Sequence, residues 1–278
     1  VAKRYRVRFD KGAWKGVDQY RDFREVCQRG DIDVLVCATP DHWHAVCALT
    51  ALHGGKDIYC EKPVTHFFRE GQLLYRTAAE KKAVFQAGSQ QRSDLRFRHV
   101  VELVLNGHLG KIRYAEVGLG KGYNAPMGDP TVKEPPEHLD YEMWCGPGPV
   151  LPYMRARHHR WWRGHRGYGG GVLMDWIGHH NDIAHWALGM DESGPRRVEA
   201  VDWADPETDI YNTPHEYTIH CEYAGGITST ISTRNAPGLK IVGEDGWVYV
   251  RRGHLETSDV RWKKRDFDSG PVKAYDSP

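Results

Sequence analysis

The 278-residue chain is long enough for two domains of ordinary size, each with its own core, and its 40% hydrophobic and 27% charged residues are the composition of a globular protein. A net charge of +1 gives no electrostatic footing for nucleic acid or an acidic membrane, and no run of about 18 apolar residues predicts a membrane span. None of the six cysteines has C-x-x-C spacing, so reduced packing thiols are expected rather than disulfides or a thiolate metal site.

Val1 to Trp14 is basic and mixed, and reads as the tail of an element whose start is absent; Gly16 to Tyr20 reads as a short extended piece. A helix is expected over Arg21–Gln28. The apolar run Val34–Ala38 then reads as a strand buried on both faces, because it is short, β-branched and stopped by Pro40. His42–Leu52 is apolar along one side and closed by Gly54-Gly55, which predicts a helix. A strand at Asp57–Cys60, a helix at Phe67–Lys82, a strand at Ala83–Ala87 and a helix at Ser93–Asn106 follow. This alternation predicts a doubly wound parallel sheet.

From Ile112 the pattern changes to strands. Arg113–Gly118, Arg197–Trp203, Glu216–Tyr223, Ile227–Thr233, Leu239–Val242 and Trp247–Val250 alternate with period two and are separated by Gly-Gly or Asp-Gly turns. The expected fold is therefore α/β: a partial Rossmann-like sheet over residues 1–110, then an α+β domain over 111–278 with a large, mainly antiparallel sheet.

Within the second part, the glycine-rich stretch Gly169-Gly170-Gly171 opens onto a helix expected from about Met174. Asp175 and His179 stand at i and i+4 on it, one turn apart on one face, where a carboxylate can orient an imidazole. The plainer alternative is an aspartate that complements the helix dipole and a histidine that only packs. The predicted exits of the parallel strands carry Thr39, His42, His44, Glu61 and Lys62, where ligands of open α/β sheets bind. An ion pair of Lys62 with Glu61 is the competing reading of that lysine.

Between the first strand of the second part and the central helix lies Leu119–Gly170, some fifty residues with little periodicity. A loop of that length in a compact domain is functional or disordered, and its aromatic content argues for the former. Trp144, Tyr153, Trp161 and Trp162 offer flat faces for sugar C–H groups, and Arg155, His158 and Arg160 offer hydrogen-bond donors. Anchoring the loop to the core is the alternative for each tryptophan. Arg155, Arg157, Arg160, Arg163 and Arg166 fit a polar pocket or solvated loop better than a nucleic-acid groove.

Taken together, A-T-P-x-x-x-H at 38–44, E-K-P at 61–63 and G-G-x-L-x-D-x-x-x-H-x-x-D at 170–182 resemble the Gfo/Idh/MocA family of nicotinamide-dependent sugar and polyol oxidoreductases. The resemblance implies NAD or NADP as cofactor, a small carbohydrate substrate, and a homo-oligomer formed through the second sheet. It implies catalytic roles for Lys62, Asp175 and His179, with His179 as base. It places Thr39, Pro40, His44, Glu61, Lys62 and Gln90 at the nicotinamide, and Lys62, Arg155, His158, Trp161, Trp162, Asp175 and His179 at the substrate. No metal is expected, although His180, Asp182 and His185 share the helix.

The G-x-G-x-x-G turn of dinucleotide sites is absent from the sequence, since Gly118-x-Gly120-x-Gly122 and Gly146-Pro-Gly148 have the wrong spacing and lie too late. The expectation is a fragment truncated at both ends, cytoplasmic by default, with an export leader left open. Two other activities within the family remain as alternatives: glycoside cleavage through transient oxidation of a ring carbon, and non-catalytic sugar or nucleotide sensing.

Overall fold

The computed structural model describes residues 17–264 and 266–274, so the expectation for Val1–Trp14 lies outside the described residues. Residues 17–20 form no strand, and the first element is helix α1 (Phe23–Gln28), capped by the Asp22 carboxylate. Strands β1 (Val34–Cys37), β2 (Asp57–Glu61) and β3 (Phe85–Gly88) then pair in parallel in the order β1-β2-β3, with Cys37 opposite Cys60 and Glu61 opposite Gly88. Helices α2 (Asp41–His53) and α3 (Phe68–Lys81) connect them.

Gly54 closes α2 where a Cβ would stand 2.4 Å from the Cys27 carbonyl oxygen, so α1 and α2 touch through backbone. Strand β3 starts two residues later than expected. Lys82 adopts a left-handed conformation and Ala83 donates its N–H back to Ala78, which spends both residues on ending α3. A second difference concerns β1. Its Cys37 lies in the core with Ala45, Ala48, Ile58 and Cys60, whereas Val34 and Val36 are 53% and 66% exposed. An unbroken apolar run reads as buried on both sides, but among the described residues one face alone meets a helix.

A turn at Gln90–Ser93 leads into α4 (Leu95–Leu105), whose buried residues Phe97, Val100, Val101 and Leu103 belong to the core of the larger sheet. That sheet contains β4 (Ile112–Gly118), β5 (Arg197–Ala204), β6 (Glu216–Glu222), β7 (Thr228–Ser232), β8 (Gly238–Gly243), β9 (Trp247–Arg251) and β10 (His254–Thr257). Its order is β10-β9-β8-β4-β7-β6-β5, antiparallel throughout except for β4 with β7. Strand β10 was not expected. It is a short edge strand that returns through a turn with Gly253 at φ 78°.

After the short α5 (Tyr141–Cys145), helix α6 (Gly171–Ala187) begins three residues ahead of the sequence expectation. Gly171 takes a φ of 71°, and a Cβ there would lie 2.7 Å from the Thr213 hydroxyl, so only glycine turns the chain into the helix at this point. Ile183, Ala184 and Ala187 bury α6 against the face of the large sheet, among Val117, Leu239 and Ile241. No helix among the described residues is long and apolar enough to cross a membrane.

Ile183 is fully buried where α6 meets the sheet. Ile183→Ala should lower the unfolding free energy by about 2–5 kcal/mol, read from the urea midpoint at unchanged slope.

Candidate active site

Lys62 leaves the end of β2 and meets α6 at one point. Its Nζ donates to Asp175 Oδ1 at 2.6 Å and to the Asp175 main-chain oxygen at 2.5 Å. The lysine stem runs past Gly178 of the helix, where a Cβ would meet it in ordinary van der Waals contact at 3.6 Å. From the other side, His44 of α2 donates from Nδ1 to the Pro63 carbonyl at 2.6 Å and fixes the turn that carries the lysine. The histidine of the first motif thus serves the backbone of the second.

His179 follows Asp175 by one turn and is 5% exposed, with no partner on Nδ1 among the described residues. Burial pushes its pKa down to about 4, and the charges of Lys62 and Arg252 push the same way against the opposing pull of Asp175. The ring is therefore a neutral imidazole through the physiological range. Below it, Gln91 donates from Nε2 to the His179 carbonyl at 3.1 Å and to Nδ1 of His180 at 2.9 Å, and accepts from Arg252 Nε at 3.2 Å. Arg252 in turn lies over the Trp176 ring at 4.9 Å.

Three residues that sequence reasoning did not single out stand at the same place. Arg163 brings Nε to 3.3 Å from Asp175 Oδ1 and Nη2 to 3.6 Å from Asp41 Oδ1, with its guanidinium 4.2 Å above the Trp162 ring. Asp41 opens α2, is 1% exposed, and has no hydrogen bond to either carboxylate oxygen. Burial raises its pKa to about 6, against the opposing effect of Arg163. Tyr123 is near enough to Asp175 that the carboxylate adds to the upward shift that burial imposes on the phenol, so it remains a protonated donor. Asp41 follows Thr39-Pro40 directly and Arg163 belongs to the arginine cluster, but no periodicity marks either.

Other expected site residues go elsewhere. Gln90 is exposed, and the glutamine that reaches α6 is its neighbour Gln91. Trp162 is 6% exposed, packed with Cys145 and Tyr168 and covered by Arg163, so its faces are taken by protein. Trp161 is half-buried, edge-on to Tyr123 and beneath Arg160. His158 is enclosed by Trp144 and Tyr153, where burial lowers its pKa to about 4, and Arg155 is exposed and bonded to the His158 carbonyl. His42 bridges the carbonyls of Trp144 and Tyr168 and so ties the long loop to α2. Asp182 is gripped by Arg92 through two 2.8 Å bonds, and His185 meets the Tyr223 hydroxyl. No group of three or more potential metal ligands exists among the described residues.

Thr39, Pro40, Glu61 and Lys62 line the carboxyl edge of the parallel sheet, Thr39 exposed and the others half-buried. Buried ring nitrogens without partners, His44 Nε2 and His179 Nδ1, adjoin the Lys62 turn on its two sides. Polar groups gathered at the strand exits stand where open α/β sheets bind their ligands.

Residues 6–89 match the family model described as "Oxidoreductase family, NAD-binding Rossmann fold", and residues 96–258 match "Oxidoreductase family, C-terminal alpha/beta domain". The chain belongs to the Gfo/Idh/MocA oxidoreductase family. It is 21% identical over 291 residues to inositol 2-dehydrogenase of Salmonella typhimurium, covering 99% of this chain and 74% of that one. It is 22% identical over 267 residues to scyllo-inositol 2-dehydrogenase (NAD(+)) of Bacillus subtilis, covering 92% and 66%. The fold matches the WlbA dehydrogenase of Bordetella pertussis, solved with NADH and UDP-GlcNAcA, at a TM-score of 0.63 and 19% identity, covering 88% of this chain and 63% of that structure. The chain thus spans roughly two-thirds of the length of these family members.

Removing the Lys62 charge relieves one of the two cationic effects on His179. In Lys62→Met the His179 ring should titrate above its wild-type value of about 4, toward the ordinary histidine range near 6.5, as followed by the pH dependence of its imidazole NMR signals. An unmoved titration would contradict the electrostatic link.

Proposed function

We propose that this protein is an NAD(P)-dependent dehydrogenase that oxidises a secondary hydroxyl of a sugar, polyol or sugar derivative, with Lys62, Asp175 and His179 as the reacting constellation. The observation that carries the reading is the Lys62–Asp175 contact with the buried, neutral His179 one helical turn away. Similarity to two inositol dehydrogenases supports a polyhydroxylated substrate. Homo-oligomerisation is part of the same reading, through the large sheet, whose edge strand β5 leaves Val198, Val201 and Trp203 exposed.

A bound nicotinamide supplies the hydride acceptor. Thr39, Pro40, Glu61 and Lys62 would hold it at the sheet edge. His179 needs no deprotonation before it works, because its low pKa keeps it neutral, and it accepts the hydroxyl proton of the substrate. The Lys62 ammonium stabilises the oxygen as negative charge develops on it. Asp175 holds Lys62 in place and accepts a hydrogen bond from a neighbouring hydroxyl, while the Tyr123 phenol donates to another. The half-buried pair excludes much of the water that would weaken these effects.

The test is calorimetric titration with NAD+ and with NADP+, followed by a screen of cyclic polyols and sugars for net formation of reduced cofactor. His179→Ala should lower kcat by about 10²- to 10⁴-fold, the usual contribution of a positioned base, at near-normal cofactor affinity. Loss of cofactor binding in that variant would remove His179 from the role of base. Glycoside cleavage without net reduced cofactor would replace dehydrogenation with transient ring oxidation.

A further inference from the structure

We propose that Arg163, anchored by the buried carboxylate of Asp41, is a positioning residue that clamps Asp175 Oδ1 and leaves Oδ2 to the substrate. The inference rests on the dehydrogenase reading only for its catalytic consequence. The clamp itself stands on geometry.

Asp41 is an ionisable group in a place that offers it little. It opens α2, its side chain is 1% exposed, and neither oxygen has a hydrogen-bond donor. Gly169 packs so closely that a Cβ there would stand 3.2 Å from Asp41 Oδ2, so the pocket is filled by protein. A buried carboxylate of this kind is costly unless a cation faces it. The charged and titratable groups around it are Arg163 from the long loop, His44 from its own helix, Asp175 from α6 and Lys62 from the turn after β2. Arg163 is the strongest of these opposing burial, with its Nη2 at 3.6 Å.

The guanidinium has little freedom. Its central carbon stands 4.2 Å from the centre of the Trp162 ring, itself locked beside Tyr168 and Cys145, and a cation held over a ring face loses much of its freedom to swing. Nη2 thus stands 3.6 Å from Asp41 Oδ1 and Nε 3.3 Å from Asp175 Oδ1, ion-pair contacts with no formed hydrogen bond at either. Asp175 Oδ1 is the oxygen Lys62 holds at 2.6 Å. Two cations converge on Oδ1, and the remaining oxygen is oriented by default.

The charge state of Asp41 decides how Arg163 divides itself. Asp41 is ionised above a pKa raised to about 6 and neutral below it. At higher pH the guanidinium is shared between two carboxylates. As the pH falls through about 6, the outer anchor loses its charge, Arg163 shifts toward Asp175, and it competes with Lys62 for Oδ1. The positioning is thus present above pH 6 and lost below it, two units away from the titration of His179 near 4.

The experiment is a ¹³C NMR titration of the aspartate carboxyl carbons in the wild type, Asp41→Asn and Arg163→Met, which needs neither substrate nor turnover. In the wild type, Asp175 should show an inflection that coincides with the titration of Asp41. In Asp41→Asn the inflection should vanish, and in Arg163→Met, where Asp41 still titrates, it should shrink to what the direct repulsion between the two carboxylates leaves. An Asp175 signal that stays silent while Asp41 titrates overturns the clamp. So does an inflection of undiminished size in Arg163→Met, since the direct repulsion between the two carboxylates would then account for all of the coupling. Where turnover is found, wild-type kcat should fall roughly tenfold from pH 8 to 5, short of the hundredfold that a 1 Å misplacement can cost, and Asp41→Asn should sit at the lower level throughout. A coupled Asp175 signal in a protein that oxidises nothing would sink the dehydrogenase reading and leave the clamp standing.

Discussion

The contact of Lys62 with Asp175 is the constraint around which the rest of the molecule is arranged. It joins the carboxyl edge of the parallel sheet to a helix rooted in the core of the other sheet, with both side chains largely out of water. A pair so placed is worth more than an exposed one in holding geometry, and removing either member strands a charge where solvation is poor. The surroundings serve this one meeting point. His44 fixes the turn from below, the lysine stem packs along Gly178, and Gly171 sets where the helix begins.

Helix α6 can carry the site because its two sides have different work. Ile183, Ala184 and Ala187 are sunk in the large sheet, so the axis cannot roll without opening the core. Arg92 pins Asp182 near the middle, and the Gln91–Arg252 link holds the backbone at His179 from the β9–β10 turn. The aspartate and histidine on the remaining face therefore inherit rigidity from apolar packing and backbone bonds that take no part in the chemistry.

How much of this was legible in the sequence follows from which residues were tied to a repeating backbone geometry. Lys62 sits at the end of a strand, and Asp175 and His179 share a helix face at a spacing of four, so period and position alone bring them to one edge. Arg163 has no such tie. It lies in a stretch without periodicity, where five arginines look alike and only the folded loop separates the one that meets Asp175 from the one, Arg155, that bonds its own neighbour. Gln90 and Gln91 differ by one residue within a tight turn, and a turn of three residues per repeat sends adjacent side chains a third of a turn apart. Val34 and Val36 were indistinguishable from buried residues because an apolar run carries no mark of which face a helix will cover.

In the dehydrogenase reading, the low basicity of His179 raises a question of balance. A base with a pKa near 4 is a weak acceptor for a proton from an alcohol, and a stronger base would take it more readily. Two of the influences that weaken it are cationic, and one of them is Lys62. The same ammonium, beside the substrate oxygen, lowers the proton affinity of the alkoxide as well. Proton transfer depends on the difference between the two groups rather than on either alone, so a cation placed between donor and acceptor can leave that difference small while holding both in their reactive forms. Burial of His179 is the largest influence keeping the ring neutral before substrate arrives, and the charge it then acquires is opposed by Lys62 and Arg252 and favoured by Asp175, one turn back along the helix.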